Sequence, residues 1–202
     1  MNQRTLVVIS GGLSQPSSTR LLADQLSAAA VADADGTGID LTVRVVELRD
    51  LAHDIANHLL TGFPPAALKE ALDAVAAADG LIAVTPIFSA SYSGLFKSFF
   101  DVVDKDALID KPVLIAATAG TARHSLALEH ALRPLFAYLR ATVLPTAVFA
   151  ASDDWGADSA EGTLRSRITR AAGELTRELE RRDPVQVIDP FALTVNFADL
   201  LK

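Results

Sequence analysis

The chain has 202 residues, half of them hydrophobic, and 25 acidic against 18 basic side chains leave it a net charge of −7. That length supports one domain with an ample core, and the composition is too apolar for disorder. The absence of cysteine excludes thiol catalysis, disulfides and iron–sulfur ligation. No basic block favours nucleic acid or an anionic membrane surface, and no apolar run approaches the roughly 18 residues of a membrane span. Met1-Asn2-Gln3-Arg4 leads straight into a strand-like run without a signal-peptide cleavage pattern, so the cytoplasm is the expected location.

Thr5–Ile9 is a continuous β-branched, apolar run, the pattern of a central parallel strand buried on both faces. The loop Ser10–Thr19 that follows is rich in glycine and hydroxyls, and a helix pattern runs from Arg20 to about Val31 with Leu21, Leu22, Gln25, Leu26 and Ala29 on its apolar face. Backbone donors, Ser/Thr hydroxyls and a helix dipole at such a start suit a phosphate. The loop has neither Gly-x-Gly-x-x-Gly nor the lysine of a nucleoside-triphosphate loop, so a monophosphate held by neutral donors is the expected ligand. Capping of the helix by Ser17 or Ser18 is the competing role.

Ala32–Gly38 reads as a turn, and Ile39–Leu48 as a second strand whose alternation marks an exposed side or a sheet edge. Arg49–Pro65 reads as a long irregular connection; His53 and His58, five residues apart, do not share a helix face well enough for a metal pair. A helix is predicted over Ala66–Ala78 with Leu68, Leu72, Val75 and Ala76 inward, stopped at Asp79-Gly80. Leu81–Val84 is the third strand. Pro86 is expected to end it, and the segment Thr85–Lys97 is then a strand-to-helix loop of small residues. Ser89, Ala90, Ser91 and Ser93 let the backbone approach a flat ligand, with Phe88 and Tyr92 beside it.

Pro112–Ala117 is the fourth strand, delivering a third small-residue loop, Thr118–His124, before a helix over Ser125–Leu139. Thr142–Ala150, interrupted by Pro145, is an edge strand. Ser159–Arg182 is a charged amphipathic helix whose charges form a solvated face. Residues 183–202 carry too many apolar side chains for a free tail and are expected to pack on the core or on a second subunit. Five strand–helix alternations without an internal linker predict a single α/β domain over 1–202: a doubly wound, five-stranded parallel sheet of order 2-1-3-4-5. The loops after strands one, three and four then meet at the carboxyl edge, one suited to a phosphate and two to a planar ring. FMN has both parts.

At these residues the chain resembles a family. Gly12-x-Ser14-x-x-Ser17-Ser18-Thr19, then Thr85-Pro86-Ile87-Phe88-x-x-Ser91-Tyr92-Ser93-Gly94-x-x-Lys97-x-Phe99-x-Asp101, then Thr118-Ala119-Gly120-x-x-x-His124-Ser125-Leu126 resemble the flavodoxin-like NAD(P)H-dependent FMN reductases. The likeness spans about residues 5–150 and is nearest to the flavin reductases of two-component monooxygenases, in an actinobacterial-type branch. Where that family often has Gly-Ser-x-Arg, this chain has Gly12-Leu13-Ser14-Gln15, which leaves the phosphate to hydroxyls and backbone; where it often has Gly-Gly, this chain has Ala119-Gly120.

The resemblance implies that Ser14, Ser17, Ser18 and Thr19 hold the phosphate, that Pro86, Ile87, Phe88 and Ser89 line the isoalloxazine, and that Thr118, Ala119 and Gly120 contact its far edge. Ser10, Gly12, Ser93 and His124 complete the cofactor-binding set. No residue is assigned as catalytic, because the flavin carries the chemistry, and none as a metal ligand. Lys97 is expected in a salt bridge with Asp101 rather than at the ligand, and Arg123 is a candidate for a nicotinamide phosphate. The implied activity is hydride transfer from NADPH or NADH to FMN, with reduced flavin passing to a partner monooxygenase or other acceptor, in a homodimer or homotetramer. A quinone, azo or chromate reductase and a flavodoxin-type electron carrier are the alternatives. A hydrolase is disfavoured, because Ser91-Tyr92-Ser93-Gly94 lacks the preceding glycine of a nucleophile elbow.

Overall fold

A computed structural model describes residues 2–155 and 163–185. In chain order the strands are β1 (Asn2–Ser10), β2 (Ile39–Glu47), β3 (Gly80–Phe88), β4 (Ser91–Tyr92), β5 (Pro112–Ala119), β6 (Thr142–Val143) and β7 (Val148–Ala151). The helices are α1 (Ser18–Thr37), α2 (Ala52–Thr61), α3 (Ala66–Ala77), α4 (Gly94–Val102), α5 (Arg133–Tyr138) and α6 (Thr163–Arg181). The sheet runs β2-β1-β3-β5-β6, all parallel, with β7 also parallel to β5 and the short β4 antiparallel to β3. This is the expected doubly wound order. The predicted fifth strand is split in two, because the segment holding Pro145 lies outside the ladder.

Strand alternation sends one set of side chains to each face. Leu6, Val8, Ile82, Val84, Leu114 and Ala116 meet α1 and α6; Val7, Ile9, Leu81, Ala83, Ile115 and Ala117 meet helices α2 to α5. On that second face Phe100 packs tilted against Phe96 and edge to face against Phe136, with centroids 4.8 and 4.9 Å apart, and the three rings fix α4 behind the loop after β3. Truncating a buried ring of this kind costs about 3–5 kcal/mol. The charges of α6 do form its outer face: Leu164, Ile168, Ala171, Leu175 and Leu179 are buried.

Several local expectations are corrected. α1 continues through the expected turn at Ala32–Thr37 and stops at Gly38, whose positive φ of 78° suits a residue without Cβ. Its buried stripe is Leu22, Ala23, Leu26, Ala30 and Ala34; Leu21 and Gln25 are exposed. The segment expected to be irregular after β2 holds a 3₁₀ turn (Leu48–Leu51) and α2, which buries Ile55 alone. α3 exposes Ala76 and buries Ala71, and it ends at Ala78 in extended conformation without needing Gly80, which opens β3.

β3 does not end at Pro86. It runs to Phe88, pairing Pro86 with Thr118 on β5. β1 stops opposite Val84, so beyond that point the β1 side of β3 has no partner to miss the proline N–H. The helix predicted over Ser125–Leu139 is a π turn (Leu128–Leu132) running into α5, and a 3₁₀ turn (Ala122–His124) precedes it. Of the terminal extension, residues 186–202 lie outside the described residues.

Candidate functional site

Three chain segments reach the carboxyl edge of β1, β3 and β5 side by side, since Ser10 pairs with Val84 and Pro86 with Thr118. The first begins at Ser10, which is fully buried and whose Oγ has no hydrogen-bond partner among the described residues. A buried hydroxyl left unpaired costs about 1–3 kcal/mol, so it marks a place where a partner is missing. Gly11 donates its N–H to Val84 O at 2.8 Å, tying the loop to β3. At Gly12 a Cβ would stand 2.2 Å from Ser17 Oγ and 3.1 Å from Thr19 Cβ, so glycine lets the loop pack closely on these two side chains. Ser14 and Ser18 are exposed on this loop, and Ser17 caps α1 by accepting from Arg20 N at 3.2 Å.

The cap occupies the Arg20 N–H and leaves the N–H groups of Ser18 and Thr19 without a partner inside the helix. No acidic side chain lies in the first turn of this 20-residue helix, so its positive end is available to an anion. Arg20, also in that turn, is not free for the role: it is bonded to Asp24 and to Glu47 at the end of β2, and these carboxylates raise its pKa further, the Asp24 hydrogen bond most. Thr19 turns its hydroxyl inward to Thr118 on β5, Oγ1 to Oγ1 at 2.8 Å.

The second segment is a tight hairpin rather than an open loop. Ile87 pairs with Tyr92 and Phe88 with Ser91, leaving Ser89 and Ala90 at the tip with φ of 48° and 69°. Thr85, fully buried, locks its base: Oγ1 accepts from Ser93 N at 3.1 Å and donates to Pro86 O at 3.0 Å. Ser93 in turn caps α4 by accepting from Phe96 N at 3.3 Å, so its side chain is engaged in structure. Thr85 opens the segment named from the sequence, but its place at the hairpin base depends on a contact eight residues away and has no local signal. Pro86 is half-buried, Ile87 buried, Ser89 exposed, and the ring of Phe88 is about half exposed at the hairpin end. Lys97 is paired with Asp101 one helical turn on, as expected.

The third segment leaves β5 at Ala119. Thr118 is buried, Ala119 half-buried and Gly120 exposed, and Thr121 opens a 3₁₀ turn that presents Arg123 and His124 to solvent. No ion pair engages Arg123 among the described residues. The site therefore has a neutral cradle with a helix dipole at one end, small residues and backbone in the middle, and an unpaired cation at the other. The orphaned Ser10 hydroxyl and the unpaired N–H groups of Ser18 and Thr19 at the positive end of α1 fit a phosphate of FMN at the first segment.

Residues 4–156 match the family of NADPH-dependent FMN reductases. The chain is 42% identical over 150 residues to an FMN reductase (NADPH) of Pseudomonas aeruginosa, covering 74% of this chain and 78% of the relative. It is 38% identical to the NADH-dependent FMN reductase SfnE of Pseudomonas putida, over 83% of this chain and 88% of that one. Among solved structures it superposes on an oxidoreductase from Corynebacterium diphtheriae with a TM-score of 0.86 at 49% identity, over 91% of this chain and all of that one. It also superposes on the apo form of the NADH:FMN oxidoreductase EmoB with a TM-score of 0.75 at 34% identity, over 86% and 89%. With its fold, its carboxyl-edge site and these relatives in agreement, the chain belongs to the NADPH-dependent FMN reductase family, oxidoreductases that pass hydride from a reduced nicotinamide nucleotide to FMN.

Proposed function

We propose that the three carboxyl-edge segments hold FMN with its phosphate on the first and its ring system between the second and third, and that reduced flavin leaves for a separate acceptor such as a monooxygenase. The observation that carries this reading is the buried Ser10 hydroxyl at the start of the first segment, which has no hydrogen-bond partner among the described residues. FMN, when bound, supplies a ring that accepts a hydride and holds it as reduced flavin. The chain's own part is binding and orientation. Ser10, Ser14, and the backbone N–H groups of Ser18 and Thr19 would surround the phosphate, aided by the α1 dipole. The passage at Gly12 keeps the loop closed against Ser17.

Pro86, Ile87, Phe88 and Ser89 would line one edge of the ring, and Thr118, Ala119 and Gly120 the other. Thr85 and Ser93, bonded to each other at the hairpin base, keep that edge in place. Arg123 and His124 would meet the phosphates of the nicotinamide nucleotide, a polyanion that needs a local cation on a chain of net charge −7. SfnE and SfnF, named as NADH-dependent FMN reductases, and the FMN reductases (NADPH) are relatives of similar identity, which supports an acceptor downstream of reduced FMN over an electron carrier. We place the enzyme in the cytoplasm, where the reduced nicotinamide pool is, and as a homodimer or homotetramer, with Leu60 and Phe63 of the α2 end among its exposed apolar side chains.

Comparing FMN with riboflavin tests the phosphate assignment. Fluorescence titration should give FMN a Kd at least about 100-fold below that of riboflavin, since several charge-assisted hydrogen bonds are absent from the phosphate-free ligand. Equal affinities would remove the phosphate from the Ser10–Thr19 loop.

A further inference from the structure

The sheet face beneath α1 is apolar along most of its length, through Leu6, Val8, Ile82, Val84, Leu114 and Ala116. At the carboxyl end it turns hydroxylic. Ser10 continues the Leu6–Val8 alternation on β1, Thr118 continues the Leu114–Ala116 alternation on β5, and Thr19 arrives from the first turn of α1. All three are at most 3% exposed. Thr19 Oγ1 and Thr118 Oγ1 lie 2.8 Å apart, a bond across 99 residues of chain. It joins the start of the helix behind the glycine loop to the end of the strand that feeds Thr118-Ala119-Gly120.

We infer that Thr19 and Thr118 form a latch that sets the distance between the phosphate end and the ring end of the flavin site, acting as positioning residues. This inference rests on the FMN reading above. Two hydroxyls own two protons, and their mutual bond uses one. Among the described residues no other hydrogen bond is made by either Oγ1, so one buried proton is left to donate; the Ser10 hydroxyl, two strands away from Thr118 in the same sheet, is likewise unspent. A pair that served packing alone would be matched by two valines, which fill the same volume without buried polar atoms. The hydroxyls instead give the two segments a single register, so that a ligand with a phosphate at one end and a ring at the other meets both ends at once.

The test is a double-mutant cycle on ligand binding with Thr19→Val, Thr118→Val and the double variant, titrated with FMN and with riboflavin, and melted in parallel. Each single valine should raise the FMN Kd about tenfold, and the double variant should be no worse than either single, since the second change removes a bond already broken. Riboflavin, which has no phosphate to register, should lose less than about threefold. Thr118→Ser, which keeps the hydroxyl, should retain wild-type affinity. If a valine variant folds poorly, alanine at the same position is read in the same way. Additive losses, equal losses for FMN and riboflavin, or a lowered melting temperature with unchanged FMN affinity would each overturn the latch and leave an ordinary core hydrogen bond. If the wild-type chain binds neither ligand, the FMN reading itself fails, which is a different result from failure of the latch.

Discussion

At the scale of single residues, Ser10 separates function from stability. Its hydroxyl is buried and unpaired, so Ser10→Ala should leave folding stability unchanged or raise it by up to about 1 kcal/mol, while weakening FMN binding about five- to tenfold. Denaturant melts and flavin titration of one protein preparation measure both. A drop in stability with unchanged affinity would make Ser10 a structural residue. Residue identities in the three segments were legible because glycine, proline and hydroxyls carry backbone and donor requirements of their own. Partners were legible only when close in sequence: Lys97 with Asp101 is one helical turn apart and was expected, and Ser17 capping α1 follows from the local pattern. Thr19 with Thr118 is 99 residues apart, and no property of either residue announces the other. The exposure of Leu21 and Gln25 was missed because small residues, Ala23, Ala30 and Ala34, carry the buried stripe of α1.

At the scale of elements, the β3–β4 hairpin shows a local rule overridden. A two-residue turn with positive φ at both positions usually takes Asn-Gly, yet here it is Ser89-Ala90. An L-residue in that region costs roughly 1–2 kcal/mol. Thr85 and Ser93 at the hairpin base, with Ile87 buried behind it, hold the turn closed. Ser89→Asn with Ala90→Gly should therefore stabilise the protein by about 1 kcal/mol, after the entropic cost of the added glycine is set against the relieved strain. Urea denaturation measures it, and a loss of stability would show the turn to be unstrained. The hairpin was not legible because Pro86 reads as a strand end, and only the early stop of β1 opposite Val84 permits a proline there. α2 was missed although Ala52, Ile55 and Leu59 recur in it at helical spacing, so its apolar side was legible and went unread.

At the scale of the whole molecule, the strand–helix alternation was enough to give the sheet order, because right-handed crossovers and a continuous apolar run in each central strand leave few topologies open. The opposite, amino edge was not legible. There two buried cations cap helix ends: Arg4 donates to Leu179 O and Arg182 O behind α6, and Lys111 donates to Val75 O and Ala76 O at the end of α3. Burial pushes the Lys111 pKa down from 10.5 to about 8, against the pull of Asp79. The unfolded chain therefore holds this proton more tightly than the folded one. The group's destabilising share is full below pH about 8 and is relieved as pH rises toward 10.5, so its contribution makes stability increase over that window. Lys111→Met should flatten the rise, as followed by denaturant unfolding at a series of pH values; an unchanged slope would assign it to other groups. The central claim concerns the other edge, and one measurement reaches it most directly: the FMN-loaded protein mixed anaerobically with NADPH and, separately, with NADH, while the visible flavin absorbance is followed. The account predicts rapid bleaching, with one nicotinamide oxidised for each flavin reduced. A flavin that binds and stays unbleached with both donors would contradict it.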